Sequence, residues 1–225
     1  MLEAVTDKTK LMFVCSPGNP TCKAIPISDI IKLATSSYKG LIIVDEAYVD
    51  FSNETSAISL VTSHPNIVVL QTLSKAFGLA GIRCGFAIAS EDVIQLMNNV
   101  KAPYNVNKLT SEVAVNAMKN IGTLEKNVKL LLGQRDVVSK SLEGMDFVEK
   151  VYPSDSNFVL VRLKSLAKEV YTTMANRGVV CRYRGNEMHC ANCIRITIGS
   201  EEENKACLEL LEKVYKELSA ASDKN

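Results

Sequence analysis

The sequence contains no tryptophan and only two histidines, and aromatic residues make up just 6% of it. Its 6 prolines and 11 glycines are too few for a collagen-like or low-complexity chain. Charge of neither sign dominates: 26 basic residues face 25 acidic ones, for a net charge of +1. No basic cluster stands out, which argues against nucleic acid or an anionic membrane surface as partner. Long hydrophobic runs are missing as well. The purely aliphatic stretches at 41–44 and 67–70 are four residues long, against the roughly 20 needed to cross a bilayer. The opening MLEAVTDKTK has no apolar stretch of the kind a secretory leader needs, so the chain is expected to be cytoplasmic.

The 7 cysteines are odd in number and scattered through apolar surroundings, which suits reduced thiols better than a disulfide framework. His189-Cys190-x-x-Cys193 has too few ligands for a structural zinc site, since no second Cys-x-x-Cys exists, and no metal is expected.

What is present is an ordinary globular composition, 47% apolar over 225 residues, enough for one large domain or two modest ones. Short aliphatic runs alternate with amphipathic stretches over the first ninety residues, the pattern of parallel strands joined by crossover helices. Runs at 11–15, 41–44 and 67–71 are continuous enough to predict strands covered on both faces, and a further strand is expected at 84–89. Helices are predicted at about 28–38, ended by Gly40, and after Ser90 as a cap, with Val93, Leu96, Met97 and Val100 on one face. A long helical stretch over 107–142 is expected to break near Gly122 or Gly133. Strands at 157–163, 179–182 and 194–198 and a helix at 165–177 follow. Ser200 to Glu203 form a capping box for the last helix, with the tail after Ser219 frayed. The fold class is therefore α/β: a mostly parallel sheet domain over 1–142, then a smaller α/β domain over 143–225.

In an open α/β sheet, ligands gather beyond the carboxyl ends of the strands. Here those ends carry Ser16-Pro-Gly-Asn-Pro-Thr21, Asp45-Glu-Ala-Tyr48 and Thr72-Leu-Ser-Lys-Ala-Phe-Gly-Leu-Ala-Gly-Ile-Arg83. Taken singly, these are turn residues, a helix-capping acid and a solvated lysine. Together they place an amide, a carboxylate, a phenol, a lysine and an arginine on one edge. That set suits pyridoxal phosphate, where a lysine forms an imine, a carboxylate keeps the pyridine nitrogen protonated, and a hydroxyl with an arginine grips the phosphate.

The segments SPGNPT, DEAYVDF and TLSKAFGLAGIR, in this order, strongly resemble the fold-type I aminotransferases, the large domain of which would be partial here. With the later VVCRYRG and CIRITIG, the chain resembles the histidinol-phosphate aminotransferase family over nearly its whole length. The resemblance implies transamination between histidinol phosphate and 2-oxoglutarate by a homodimer. It makes Lys75 the catalytic lysine, which binds the cofactor and then moves the proton. It assigns Asp45 to the pyridine nitrogen, Tyr48 and Asn19 to the ring's phenolic oxygen, and Ser74 and Arg83 to the phosphate. Arg195, assisted by Arg182 or by Arg184, would take the substrate's carboxylate or phosphate. Cys22 stands where the family motif continues with glycine, and left-handed backbone there would strain a residue carrying a Cβ. The family's amino-terminal segment has no counterpart in this sequence, which implies weak or absent turnover by this chain alone. The alternatives are a noncatalytic fragment or paralogue that associates with a full-length subunit, and another fold-type I enzyme acting on aromatic amino acids.

Overall fold

The computed structural model of the chain describes residues 1–222. It divides into two compact units, Met1–Gly18 with Lys23–Asn127, and Asn19–Cys22 with the chain from Val128 onward. The division falls inside a helix, upstream of the boundary expected near residue 143. That helix, Ile121–Glu143, buries only Val138 and Leu142, with Leu131 packed partly against the same core, so its contribution to the second unit comes from residue 131 onward.

The first unit is built on a four-stranded sheet of β1 (Leu11–Cys15), β2 (Leu41–Asp45), β3 (Ile67–Thr72) and β4 (Gly85–Ile88), in that spatial order. The first three strands are parallel, and β4 returns antiparallel along β3. Residues Cys15, Asp45 and Leu70 lie level across the parallel ladder, so the chain leaves β1 and β2 at the same edge. The β1–β2 connection carries α1 (Ile27–Ala34), which ends at Thr35, short of the helix expected as far as Tyr38. On this side of the sheet Met12, Val14, Ile42, Val44, Ile67 and Val69 pack with Ile30, Ala57 and Leu60. Each such side chain, fully withdrawn from water, contributes on the order of 2 kcal/mol.

The expectation that β1 is covered on both faces is not met. Leu11 is 52% exposed and Phe13 60%, because among the described residues of this unit nothing packs on that face of the strand. The same applies to α2 (Glu91–Val100): Leu96 and Val100 are exposed. Ser90 stands at its N-cap position, yet its hydroxyl donates to Pro65 O at 3.4 Å and makes no cap bond. The break in the long helical stretch falls at Asn120, between α3 (Lys108–Lys119) and α4 (Ile121–Glu143), near Gly122 as expected. Asn120 leaves helical geometry with ψ of 47° while its side chain donates to Asn116 O at 2.8 Å, so a polar cap ends α3.

The second unit has an antiparallel sheet in the order β5 (Val148–Tyr152), β6 (Phe158–Leu163), β8 (Cys193–Thr197), β7 (Arg182–Tyr183). Its core joins Val159, Val161, Ile194 and Ile196 to Val170 and Met174 of α5 (Ala167–Asn176) and to Leu211 and Val214 of α6 (Glu201–Ser222). The capping box is formed: Ser200 N–H donates to Glu203 Oε2 at 2.8 Å and Glu203 N–H to Ser200 Oγ at 3.3 Å. Helix α6 continues three residues past Ser219, where fraying was expected, and residues 223–225 of that tail lie outside the described residues.

Cys22 belongs to the second unit, where its carbonyl accepts the Asp155 N–H at 2.8 Å and the Ser156 hydroxyl at 3.4 Å. It is fully buried and has φ of 68°, the left-handed conformation that glycine adopts without strain. Burial also pushes its thiol up to about 11, so it stays protonated at neutral pH. Two substitutions separate backbone strain from side-chain packing. Both Cys22→Ala and Cys22→Gly lose the sulfur, but only glycine relieves the strain, so Cys22→Gly is expected to be the more stable by about 1 kcal/mol in chemical denaturation.

Candidate active site

At the carboxyl end of β2, the Asp45 side chain turns back so that Oδ1 accepts the Ala47 N–H at 3.0 Å, a local turn that fixes the carboxylate without burying it fully. Its charge, after burial, raises the thiol pKa of Cys15, its neighbour across the ladder. Tyr48, three residues further on, is 9% exposed. Lys75 sits in a tight turn beyond β3, closed by Gly78 N–H donating to Lys75 O at 2.9 Å. Gly78 takes φ of 69°, which a side chain would resist. The Lys75 Nζ lies 5.4 Å from the centre of the Tyr48 ring while the side chain stays exposed, so amine and phenol share one edge of the sheet.

Ser74 follows β3, Arg83 precedes β4, and strand register places their backbones. Thr72 pairs with Gly85, and Leu73 N–H donates to Cys84 O at 3.1 Å, so the pairing continues past the end of the strands and sets Ser74 opposite Arg83. The approach is close enough to require glycine at 85, where a Cβ would meet Gln71 O at 2.8 Å. Thr72 Oγ1 accepts the Ser74 N–H at 3.1 Å and lies 2.9 Å from Ser74 Oγ, fixing the turn. Arg83 leaves the short turn Ala80–Ile82 with φ of 54°, and its Nη1 donates to Ala80 O at 3.1 Å.

Sequence reasoning missed Glu46. It is 3% exposed, and its carboxylate accepts three hydrogen bonds: Ser56 Oγ at 2.6 Å, the Ala57 N–H at 2.6 Å and Gln71 Nε2 at 2.9 Å. Strand alternation turns it away from the face of Asp45, and it ties β2 to β3 and to the segment at 56–57. Nothing local marks it, because its partners lie 10 to 25 residues away. Asp50, half-buried nearby, has its pKa raised by desolvation and then by the charge of Glu46.

The second unit holds the other candidate residues. β7 and β8 pair with Arg182 directly opposite Arg195. Yet the Arg182 guanidinium is exposed and turns to Cys181 O at 3.4 Å. Arg184 converges with Arg195 instead: Asn19 Oδ1 accepts Arg195 Nη1 at 2.7 Å and Arg184 Nη2 at 3.3 Å. Arg184 is steadied by Glu187 at 2.7 Å, and Arg195 lies over the Phe158 ring at 4.7 Å. Two guanidiniums meeting at one neutral oxygen concentrate positive charge and forked donors, a receptor for a carboxylate or phosphate. Asn19, expected at the cofactor, is grouped here with the arginines.

The parallel sheet of the first unit thus gathers a carboxylate, a phenol and a lysine at one edge, an arrangement able to hold a cofactor. Residues 1–211 match the family Aminotransferase class I and II, and the chain belongs to it. Among its relatives, the histidinol-phosphate aminotransferase of Flavobacterium johnsoniae is 42% identical over 211 residues, covering 94% of this chain and 60% of that one. The histidinol-phosphate aminotransferase of Saccharomyces cerevisiae is 44% identical over 217 residues, covering 92% of this chain and 56% of that one. The chain therefore spans about 60% of the length of the curated relatives it matches. The crystal structure of a protein from Erwinia carotovora atroseptica, described as a putative histidinol-phosphate aminotransferase, superposes with a TM-score of 0.83 at 29% identity, over 92% of this chain and 60% of that one. The histidinol-phosphate aminotransferase of Sinorhizobium meliloti, solved with pyridoxal-5'-phosphate, shares the fold with a TM-score of 0.87 at 22% identity, over 94% of this chain and 59% of that one.

Glu46→Ala strands one buried and two half-buried donors and is expected to cost about 3 kcal/mol of stability. Glu46→Gln, which loses one accepting oxygen, should cost roughly half as much. Urea unfolding of the first unit's signal measures both.

Proposed function

We propose that this chain carries the catalytic lysine and the anion-binding arginines of a pyridoxal-phosphate-dependent aminotransferase that exchanges an amino group between histidinol phosphate and 2-oxoglutarate. The observation that carries the reading is the placement of Lys75 beside Tyr48, three residues beyond Asp45, with Ser74 set opposite Arg83. The donor set fits the cofactor: an amine able to bond its aldehyde, a carboxylate oriented by a backbone N–H, and a hydroxyl and a guanidinium suited to a phosphate.

When bound, pyridoxal phosphate supplies an electron-accepting ring that stabilises negative charge on the substrate carbon. The chain's own residues do the rest. Lys75 would anchor the cofactor and then, as a free amine, would carry the proton between the substrate's amine-bearing carbon and the cofactor carbon that had been bound to Lys75. Asp45 holds a proton on the pyridine nitrogen, and Tyr48 donates to the phenolic oxygen. Ser74 and Arg83 bind the phosphate. Arg195 and Arg184 bind the anionic end of either substrate, and Asn19, its carbonyl oxygen held by both, keeps its amide nitrogen for a ligand. The reading sets this activity in a cytoplasmic homodimer, for a chain that spans about 60% of its relatives' length.

Trapping tests the reading without turnover. Pyridoxal phosphate followed by borohydride should label Lys75, as read by peptide mass mapping, and Lys75→Ala should remain unlabelled. Label spread over surface lysines and unchanged by Lys75→Ala would overturn it. For the anion pocket, Arg195→Met and Arg184→Met should each weaken histidinol-phosphate binding about tenfold in calorimetry, and Arg182→Met by less than about threefold.

A further inference from the structure

Cys181 and Cys207 form a second cluster of reactive groups, unconnected with the proposed transamination. Their sulfurs lie 3.9 Å apart. Cys181 immediately precedes β7, and Cys207 lies on α6, so the contact joins two elements 26 residues apart. Both are buried, at 5% and 9% exposure. Both also line an open cavity of about 380 Å³, together with Gly178, Val179, Ile196 and Asn204. That volume admits a small oxidant up to the sulfurs. A disulfide needs the two sulfurs about 2 Å closer.

We propose that Cys181 and Cys207 are a modification site, an oxidisable dithiol that hydrogen peroxide converts into an intrachain disulfide. The hydrogen bond between the two thiols keeps the proton on Cys181 and favours the thiolate at Cys207, which makes Cys207 the attacking sulfur. It attacks one peroxide oxygen, the O–O bond breaks, and with a proton the other oxygen leaves as water. Cys207 is then a sulfenic acid. The Cys181 sulfur attacks that sulfur, its proton goes to the departing hydroxyl, and a second water leaves. Two thiols are oxidised by two electrons and one peroxide is reduced to two waters. The disulfide closes a covalent ring around residues 182–206, which include Arg182, Arg184 and Arg195, and so ties the strand of the anion-binding arginines to α6.

The test uses the intact chain, native and without cofactor. Dilute hydrogen peroxide followed by alkylation and peptide mapping should give a Cys181–Cys207 cross-linked peptide that dithiothreitol releases. The melting temperature of the second unit should rise by roughly 5 °C on oxidation, because the ring limits its unfolded chain. In Cys207→Ser and Cys181→Ala the cross-link and the rise should both be lost, while Cys15→Ser, at an exposed thiol, should leave them intact. The wild-type map decides the matter even if a buried variant folds poorly. Peroxide that oxidises Cys15 yet leaves Cys181 and Cys207 alkylatable, or that links Cys190 to Cys193 instead, would overturn the proposal. Neither outcome bears on trapping at Lys75, so the two readings fail independently.

Discussion

The in-register parallel pairing of β1, β2 and β3 is the constraint on which the first unit's chemistry depends. A parallel ladder sets residues level with one another across strands, and here it holds Cys15, Asp45 and Leu70 in one row. Because each connection returns to the opposite edge, the residues that follow those strands emerge where backbone hydrogen bonding has ended and side chains are free to meet a ligand. Slipping β2 by one residue would turn Asp45 into the core and bring the buried Glu46 to the surface. Glu46 opposes such a slip: its three hydrogen bonds are satisfied only in the observed register.

The second unit meets a different electrostatic problem. Arg184 and Arg195 bring two positive charges to one carboxamide, and the cluster is made tolerable by Glu187 on one guanidinium and the Phe158 ring beside the other. The single carboxylate of Glu187 leaves the two guanidiniums with a net positive charge, which favours an anionic group. The direct opposition of Arg182 and Arg195 in the ladder does not by itself make them partners, because the longer reach of their side chains decides where each charge ends.

Much of the fold was legible because it rests on local periodicity. Continuous aliphatic runs marked β1, β2 and β3, and Ser200 with Glu203 marked the start of α6. Where an expectation failed, a nonlocal cause is visible. Ser90 was drawn to Pro65 O, 25 residues away, in place of its own helix. Leu11 and Phe13 are apolar yet exposed, since composition records the preference of a side chain and not whether a neighbour arrives to cover it.

The order of residue types along the chain was enough to determine the α/β class and the kind of cofactor it suits, because hydrophobic period and side-chain functional groups are local properties. Tertiary structure alone decided that Arg184 and not Arg182 meets Arg195, that Asn19 serves the arginines, that Glu46 is a buried tie, and that Cys181 touches Cys207. Each of these is a meeting of side chains from distant segments, and such meetings are set by register and packing, quantities that no stretch of sequence contains by itself.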